Sequence, residues 1–141
     1  MKTVSATIQI DAQPQAVWEV LTDLDRYPEW NPVFREASGQ VAAGNRITLR
    51  TVLPANGRLR TVKPMISVAE PGTELRWAAG LPGIIGGEHS FVLTPADGGT
   101  RLVQSETFRG LLVGLAGKTL ARFEASYTAL NEALKKRAEG N

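Results

Sequence analysis

The sequence predicts an α+β fold: a curved antiparallel sheet of about seven strands wrapped around one long C-terminal helix, with two short helices after strand 1. Three observations carry this. Apolar residues alternate with a period of two along most of the chain up to Arg109. Turn signals such as Asn56-Gly57, Pro71-Gly72 and Asp97-Gly98-Gly99 separate the alternating runs. Beyond Leu112 the period changes to that of an amphipathic helix.

The elements follow in order. Val4, Ala6, Ile8 and Ile10 alternate with Thr3, Ser5, Thr7 and Gln9, which makes a half-buried first strand. Asp11 is placed to cap a helix that Pro14 opens, with Val17, Trp18, Val20, Leu21 and Leu24 as its apolar face. Pro28 and Pro32 forbid a long regular helix in Asp25 to Pro32, so a short helical turn hands over to a strand near Val33. Strands are then expected over Arg46 to Leu53, Leu59 to Ala69, Thr73 to Ala79, Glu88 to Thr94 and Thr100 to Arg109, with Gly80 to Gly87 as a loop. Ala116, Leu120, Phe123, Tyr127, Leu130 and Leu134 form one stripe of a helix of roughly 25 residues, about 37 Å long. No other element is long enough to cover the sheet.

The chain of 141 residues suits a single domain, 1–141. With no cysteine, disulfides, thiolate metal sites and a cysteine nucleophile are excluded. One histidine and dispersed carboxylates give no metal-ligand cluster, and neither metal nor cofactor is expected. Gly83 to Gly87 lacks phosphate-loop spacing, and no G-x-S-x-G is present. The first residues alternate instead of forming the apolar run of a signal peptide. No stretch approaches the roughly 20 apolar residues of a membrane span. A soluble, cytoplasmic protein is therefore expected. The formal charge is +2 with both signs interleaved. Lys135-Lys136-Arg137 stands where cations offset a helix dipole, and no basic stripe with aromatics suggests nucleic acid.

This order, together with Tyr27-Pro28-Glu29-Trp30-Asn31-Pro32, His89-Ser90-Phe91, Gly98-Gly99-Thr100-Arg101-Leu102 and Gln104-Ser105-Glu106-Thr107-Phe108-Arg109-Gly110, resembles the helix-grip superfamily. That superfamily includes START lipid-transfer domains, Bet v 1 proteins and bacterial polyketide cyclase/dehydrase-like proteins. The resemblance covers essentially the whole chain. It implies a cavity between sheet and helix for hydrophobic or amphipathic small molecules, and it implies no single reaction.

Turn lengths fix a register. With Ala96-Asp97-Gly98-Gly99 as the last turn, Leu93 opposes Leu102, Phe91 opposes Gln104 and His89 opposes Glu106. A loop centred on Gly83 sets Trp77 opposite His89 and Leu75 opposite Phe91. A two-residue Pro71-Gly72 turn sets Ile66 opposite Trp77. One face then carries Ile66, Val68, Leu75, Trp77, His89, Phe91, Leu93, Leu102, Gln104, Glu106 and Phe108. The other carries Glu74, Arg76, Glu88, Ser90 and Arg101.

Polar groups on the apolar face are the informative feature. His89 and Glu106 are either a structural polar pair or a general acid–base pair. Trp30 and Tyr27 are either core or an aromatic wall, and Phe123 is either core or cavity floor. Arg60 either snorkels at a strand end or meets an anion. Leu81, Ile84, Ile85 and Leu111-Leu112-Val113 are either loop packing or an apolar gate. The leading reading is a binding protein for a hydrophobic or aromatic small molecule such as a lipid, quinone or polyketide-like compound. Trp30, Ile66, Trp77, Phe91, Gln104, Phe108 and Phe123 are its expected contacts. The alternatives are a polyketide cyclase or dehydratase using His89 and Glu106, and a lipid carrier in transient contact with a membrane.

Overall fold

The structure is a computed structural model and describes residues 2–53, 56–81, 85–110 and 117–140. The elements are β1 (Lys2–Ile10), α1 (Pro14–Thr22), a 3-10 helix (Leu24–Glu29), β2 (Phe34–Ser38), β3 (Thr48–Val52), β4 (Leu59–Val62), β5 (Met65–Glu70), β6 (Glu74–Leu81), β7 (Ile85–Ala96), β8 (Gly99–Gly110) and α2 (Gly117–Ala138). They form two antiparallel sheets, β1-β8-β7-β6-β5 and β2-β3-β4. An Arg46–Met65 bridge and the Ile47 amide, which donates to the Pro64 carbonyl at 3.0 Å, join the sheets at one edge. The helix α2 packs across β1 and β8 and against α1. This is the expected helix-grip arrangement, with eight strands among the described residues where about seven were expected.

The extra strand arises at Lys63-Pro64. Leu59 to Ala69 reads as one strand, but Pro64 has no N–H for a ladder. The chain changes sheet there: β4 pairs with β3, and β5 pairs with β6. The region from Gly80 to Gly87, expected as a loop, is mostly strand. Gly80 pairs with Gly86 and Ala79 with Gly87, so β6 and β7 run further than their apolar pattern indicates.

The register of the three central strands is the one the turns imply. Trp77 opposes His89, His89 opposes Glu106, Phe91 opposes Gln104 and Leu93 opposes Leu102. Asp97 and Gly98 both have positive φ, 50° and 79°, the two-residue hairpin geometry that matches strand twist. Ile66 opposes Trp77 for a different reason than a two-residue turn. Pro71, Gly72 and Thr73 make a three-residue turn, and a bulge between Ile66 and Val68 compensates for it. Val68 therefore pairs with Arg76 on the outer face, not on the inner face expected of it, and Ala69 packs inward instead.

Asp11 does not cap α1. The N-cap position is Gln13, which makes no side-chain cap bond. The entry to α1 is held by distant groups instead. Gln13 Nε2 donates to the Gly98 carbonyl at 3.0 Å, and the Asp11 amide donates to Glu139 Oε2 at 2.7 Å. At the exit of the 3-10 helix, buried Asn31 accepts from the amides of Val33 and Phe34 at 2.9 and 2.8 Å. That bond pair turns the chain into β2 and aims Phe34 inward.

The core lies between the inner sheet face, α1, the 3-10 helix and the C-terminal half of α2. Ile10, Leu21, Tyr27, Leu75, Leu102 and Leu134 are among its fully buried members. A smaller cluster of Val4, Phe108 and Tyr127, with Leu120 and Phe123 against it, sits at the other end of the helix. Two of the three C-terminal basic residues are tied down: Arg137 meets Glu29 at 2.6 Å, and Lys135 donates to the Gln9 carbonyl at 3.0 Å. Among the described residues no helix is long and apolar enough to cross a membrane.

Candidate functional site

Between the two sheets and the N-terminal half of α2 lies a cavity of about 530 Å³. Its sheet wall is Trp77, Ala79, His89, Glu106 and Phe108, with Gly86 and Gly87 between them. Phe34, Leu49, Thr51, Val62 and Arg60 close it from the small sheet, and Phe123 and Tyr127 from α2. Position 87 shares the inner face with His89, since both alternate on β7. A glycine there, with Ala79 opposite, leaves unfilled the space that side chains occupy one row further in.

A partition of rings separates the cavity from the core. The His89 ring stacks on Trp77 at 5.5 Å and 22°, and meets Phe91 at 4.8 Å and Tyr127 at 4.9 Å. Phe34 crosses edge-on to both Trp77 and His89 at 5.5 Å. Phe108 and Phe123 form a second ring pair at 4.9 Å.

Behind the partition runs a chain of hydrogen bonds whose direction two backbone carbonyls fix. Asn131 Nδ2 donates to the Ala6 carbonyl at 3.0 Å, which turns its Oδ1 toward Gln104. Gln104 Nε2 donates to that oxygen at 2.7 Å and to the Tyr127 carbonyl at 3.1 Å. Gln104 thus presents its oxygen to His89 Nε2 at 2.9 Å, so Nε2 must carry hydrogen. The other ring nitrogen, Nδ1, faces Glu106 Oε2 at 3.5 Å and forms an ion pair with it when the imidazole is protonated.

Glu106 is incompletely served. The Tyr127 hydroxyl donates to Oε1 at a long 3.4 Å, while Oε2 is buried with no hydrogen-bond partner among the described residues. Burial, and next the Glu106 charge, push the Tyr127 phenol well above its ordinary value, so it is a neutral donor at physiological pH.

Of the residues singled out in the sequence, Trp77, His89, Glu106, Phe108 and Phe123 line the cavity, and so does Arg60. Ile66, Phe91 and Gln104 lie outside that lining, buried in the sheet-side core or in the hydrogen-bonded chain. Trp30 is also outside it, packed edge-on against Tyr27 at 5.3 Å. The side chains of Leu81, Ile84, Ile85 and Leu111 to Val113 lie outside the described residues. Tyr127, Phe34 and Gly87 belong to the site and were not singled out for it. Tyr127 reads as an ordinary member of the helical stripe, and only its neighbours reveal its position beside Glu106. Among the described residues no group of acidic or histidine side chains could hold a metal ion.

The fold is similar to that of a START superfamily protein from Mycobacterium smegmatis, with a TM-score of 0.78 and 16% identity over 97% of this chain and 97% of that one. A protein from Thermus thermophilus, TTHA0849, is similar at a TM-score of 0.75 and 21% identity, over 98% of this chain and 97% of that one. The di-domain ARO/CYC StfQ from the steffimycin biosynthetic pathway is similar at 0.73 and 19%, over 97% of this chain and 50% of that one. No curated protein matches this chain. The family model described as polyketide cyclase / dehydrase and lipid transport matches residues 1–139, and the chain belongs to that family.

Proposed function

We propose that the cavity binds a hydrophobic or aromatic small molecule, a lipid, quinone or polyketide-like compound. In this reading Phe34, Trp77, Phe108 and Phe123 are its walls, and Glu106, His89 and Tyr127 are its polar corner. The observation that carries the reading is the space itself. About 530 Å³ lies open beside Ala79 and Gly87, within the usual range for small-molecule sites and lined mainly by apolar groups. Native mass spectrometry of the purified protein, with extraction of whatever co-purifies, tests it. A near-stoichiometric apolar or aromatic adduct is expected. A clean apo mass, with no thermal stabilisation by lipids, quinones or polycyclic aromatics, would sink the reading.

The contact between His89 Nδ1 and Glu106 Oε2 favours a second reading, acid–base chemistry on a polyketide-like substrate held in a reactive conformer. Glu106→Gln should then abolish cyclisation or dehydration while ligand binding persists. Unchanged turnover in that variant would remove this reading and leave the first intact.

A further inference from the structure

We infer that the inner corner of the cavity is a donor-selective subsite: the bound molecule presents a hydroxyl or amine hydrogen to Glu106 Oε2. The inference rests on the cavity being a ligand site and adds which functional group the ligand must carry.

The argument starts from an unmet need. Oε2 is a buried acceptor with no hydrogen-bond partner among the described residues, an arrangement that costs stability unless something supplies a hydrogen. With a neutral His89 ring the neighbouring groups do not meet that need. Both Gln104 amide hydrogens go to Asn131 and the Tyr127 carbonyl. His89 Nε2 gives its hydrogen to Gln104, and Nδ1 stands 3.5 Å from Oε2, beyond good hydrogen-bond range. The Tyr127 hydroxyl gives its hydrogen to Oε1. Arg60, the cation on the opposite wall, makes no ion pair with Glu106.

The carboxyl is also kept uncovered. A Cβ built at Gly87 would stand 3.4 Å from Glu106 Oε1, 3.5 Å from Cδ and 3.7 Å from Oε2. Any side chain at that position would lie against the carboxyl group. Glycine there leaves the Glu106 side chain on the cavity lining; Oε2 is covered in the empty cavity, so the carboxyl turns to meet a ligand's donor. The polar corner is at the bottom of an apolar slot, so one donor at one end of an otherwise apolar body satisfies it.

Three probes of nearly equal shape separate the possibilities: naphthalene, naphthol and methoxynaphthalene. Naphthol carries a donor. Methoxynaphthalene carries the same oxygen without the hydrogen. Calorimetric titration should show naphthol binding about tenfold or more tightly than the other two, since a hydrogen bond to a charged acceptor gives at least that factor. In Glu106→Leu, shown to be folded by circular dichroism and melting, the three affinities should converge. In Gly87→Ala the naphthol advantage should shrink while the fold is kept. If all three bind the native protein alike, or if the naphthol advantage survives in Glu106→Leu, the inference is overturned and the apolar cavity reading stands. If none binds, both fall.

Discussion

The two ends of one sheet face behave in opposite ways. At the closed end, the inner positions of β6, β7 and β8 are Leu75, Phe91, Leu93 and Leu102, all between 0% and 3% exposed and packed under α1 and α2. At the open end, the same strands carry Ala79, Gly87 and Phe108, and the cavity lies over them. Backbone and pairing are continuous from one end to the other, so the difference lies in the side-chain volumes and in which rows the helices cover. The helix repeats the contrast: Leu130 and Leu134 are buried at 1% and 0%, whereas Phe123 is only half-buried. Packed core and open cavity thus sit on separate stretches of the same elements, with the Trp77–His89–Glu106 row as the boundary.

The sharpest way to break this comparison is to empty the closed end. Phe91→Ala should cost about 3–5 kcal/mol, read by urea or guanidinium unfolding, because rigid neighbours on all sides prevent collapse around the void. A cost below about 1 kcal/mol would show that the closed end is not packed as a core.

The hydrogen bond that supports the boundary row from the Phe91–Gln104 row comes next. Gln104→Leu removes the acceptor for His89 Nε2 and the donor for Asn131 Oδ1 while keeping the volume. Roughly 2–4 kcal/mol should be lost, since each orphaned buried group costs about 1–3 kcal/mol. A neutral result in the same unfolding assay would mean that water replaces the amide there.

The two tyrosines sharpen the same line through pH. Burial, then Asp23, raises the phenol of Tyr27; burial, then Glu106, raises that of Tyr127. In the unfolded chain both ionise near 10. Their protonated forms therefore support the native state fully below that pH, and the support is lost as pH rises from there toward the folded values. Phenolate absorbance should stay flat through the ordinary tyrosine range and then rise together with loss of helical circular dichroism. A gradual titration near 10 in a protein that remains folded would place at least one phenol in contact with solvent.

The smallest stability effect is expected at the open end. Gly87→Ala adds a Cβ that meets only ordinary contacts, so stability should change by less than about 1 kcal/mol. Affinity for any cavity ligand should nevertheless fall, as measured by titration. Destabilisation on the scale of Phe91→Ala would erase the distinction between the two ends.

Much of this was legible in the chain, and the misses have identifiable causes. The register of β7 against β8 could be counted from Asp97-Gly98 because a two-residue turn admits one pairing, and that of β6 against β7 from a connection centred on Gly83. The change of sheet at Pro64 was missed because the alternating pattern continues through it, and only the missing amide marks the break. The Pro71-Gly72 turn and the bulge before Val68 shift the pairing in opposite directions. Ile66 therefore arrived opposite Trp77 while Val68 moved to the other face. Within the site, His89 and Glu106 stood out as polar groups on an apolar face. Phe91 and Ile66 share that face but lie at its filled end, which alternation cannot distinguish from its empty end.

The sequence by itself determined which residues of β6, β7 and β8 face inward, because strand alternation and turn length are local and leave few choices there. It also determined that one long helix must cover the sheet, because no other segment has the length or the stripe. Only the tertiary structure decided where the interior is filled and where it is open. That depends on which rows of the sheet the helices cover and on the volumes that meet there. Gly87 and Ala79 read as turn and strand residues in the chain; they become the floor of a cavity only when Phe123 and Tyr127 are set above them. Tyr127 likewise became a partner of Glu106, 21 residues away along the chain, only because α2 folds back across β8.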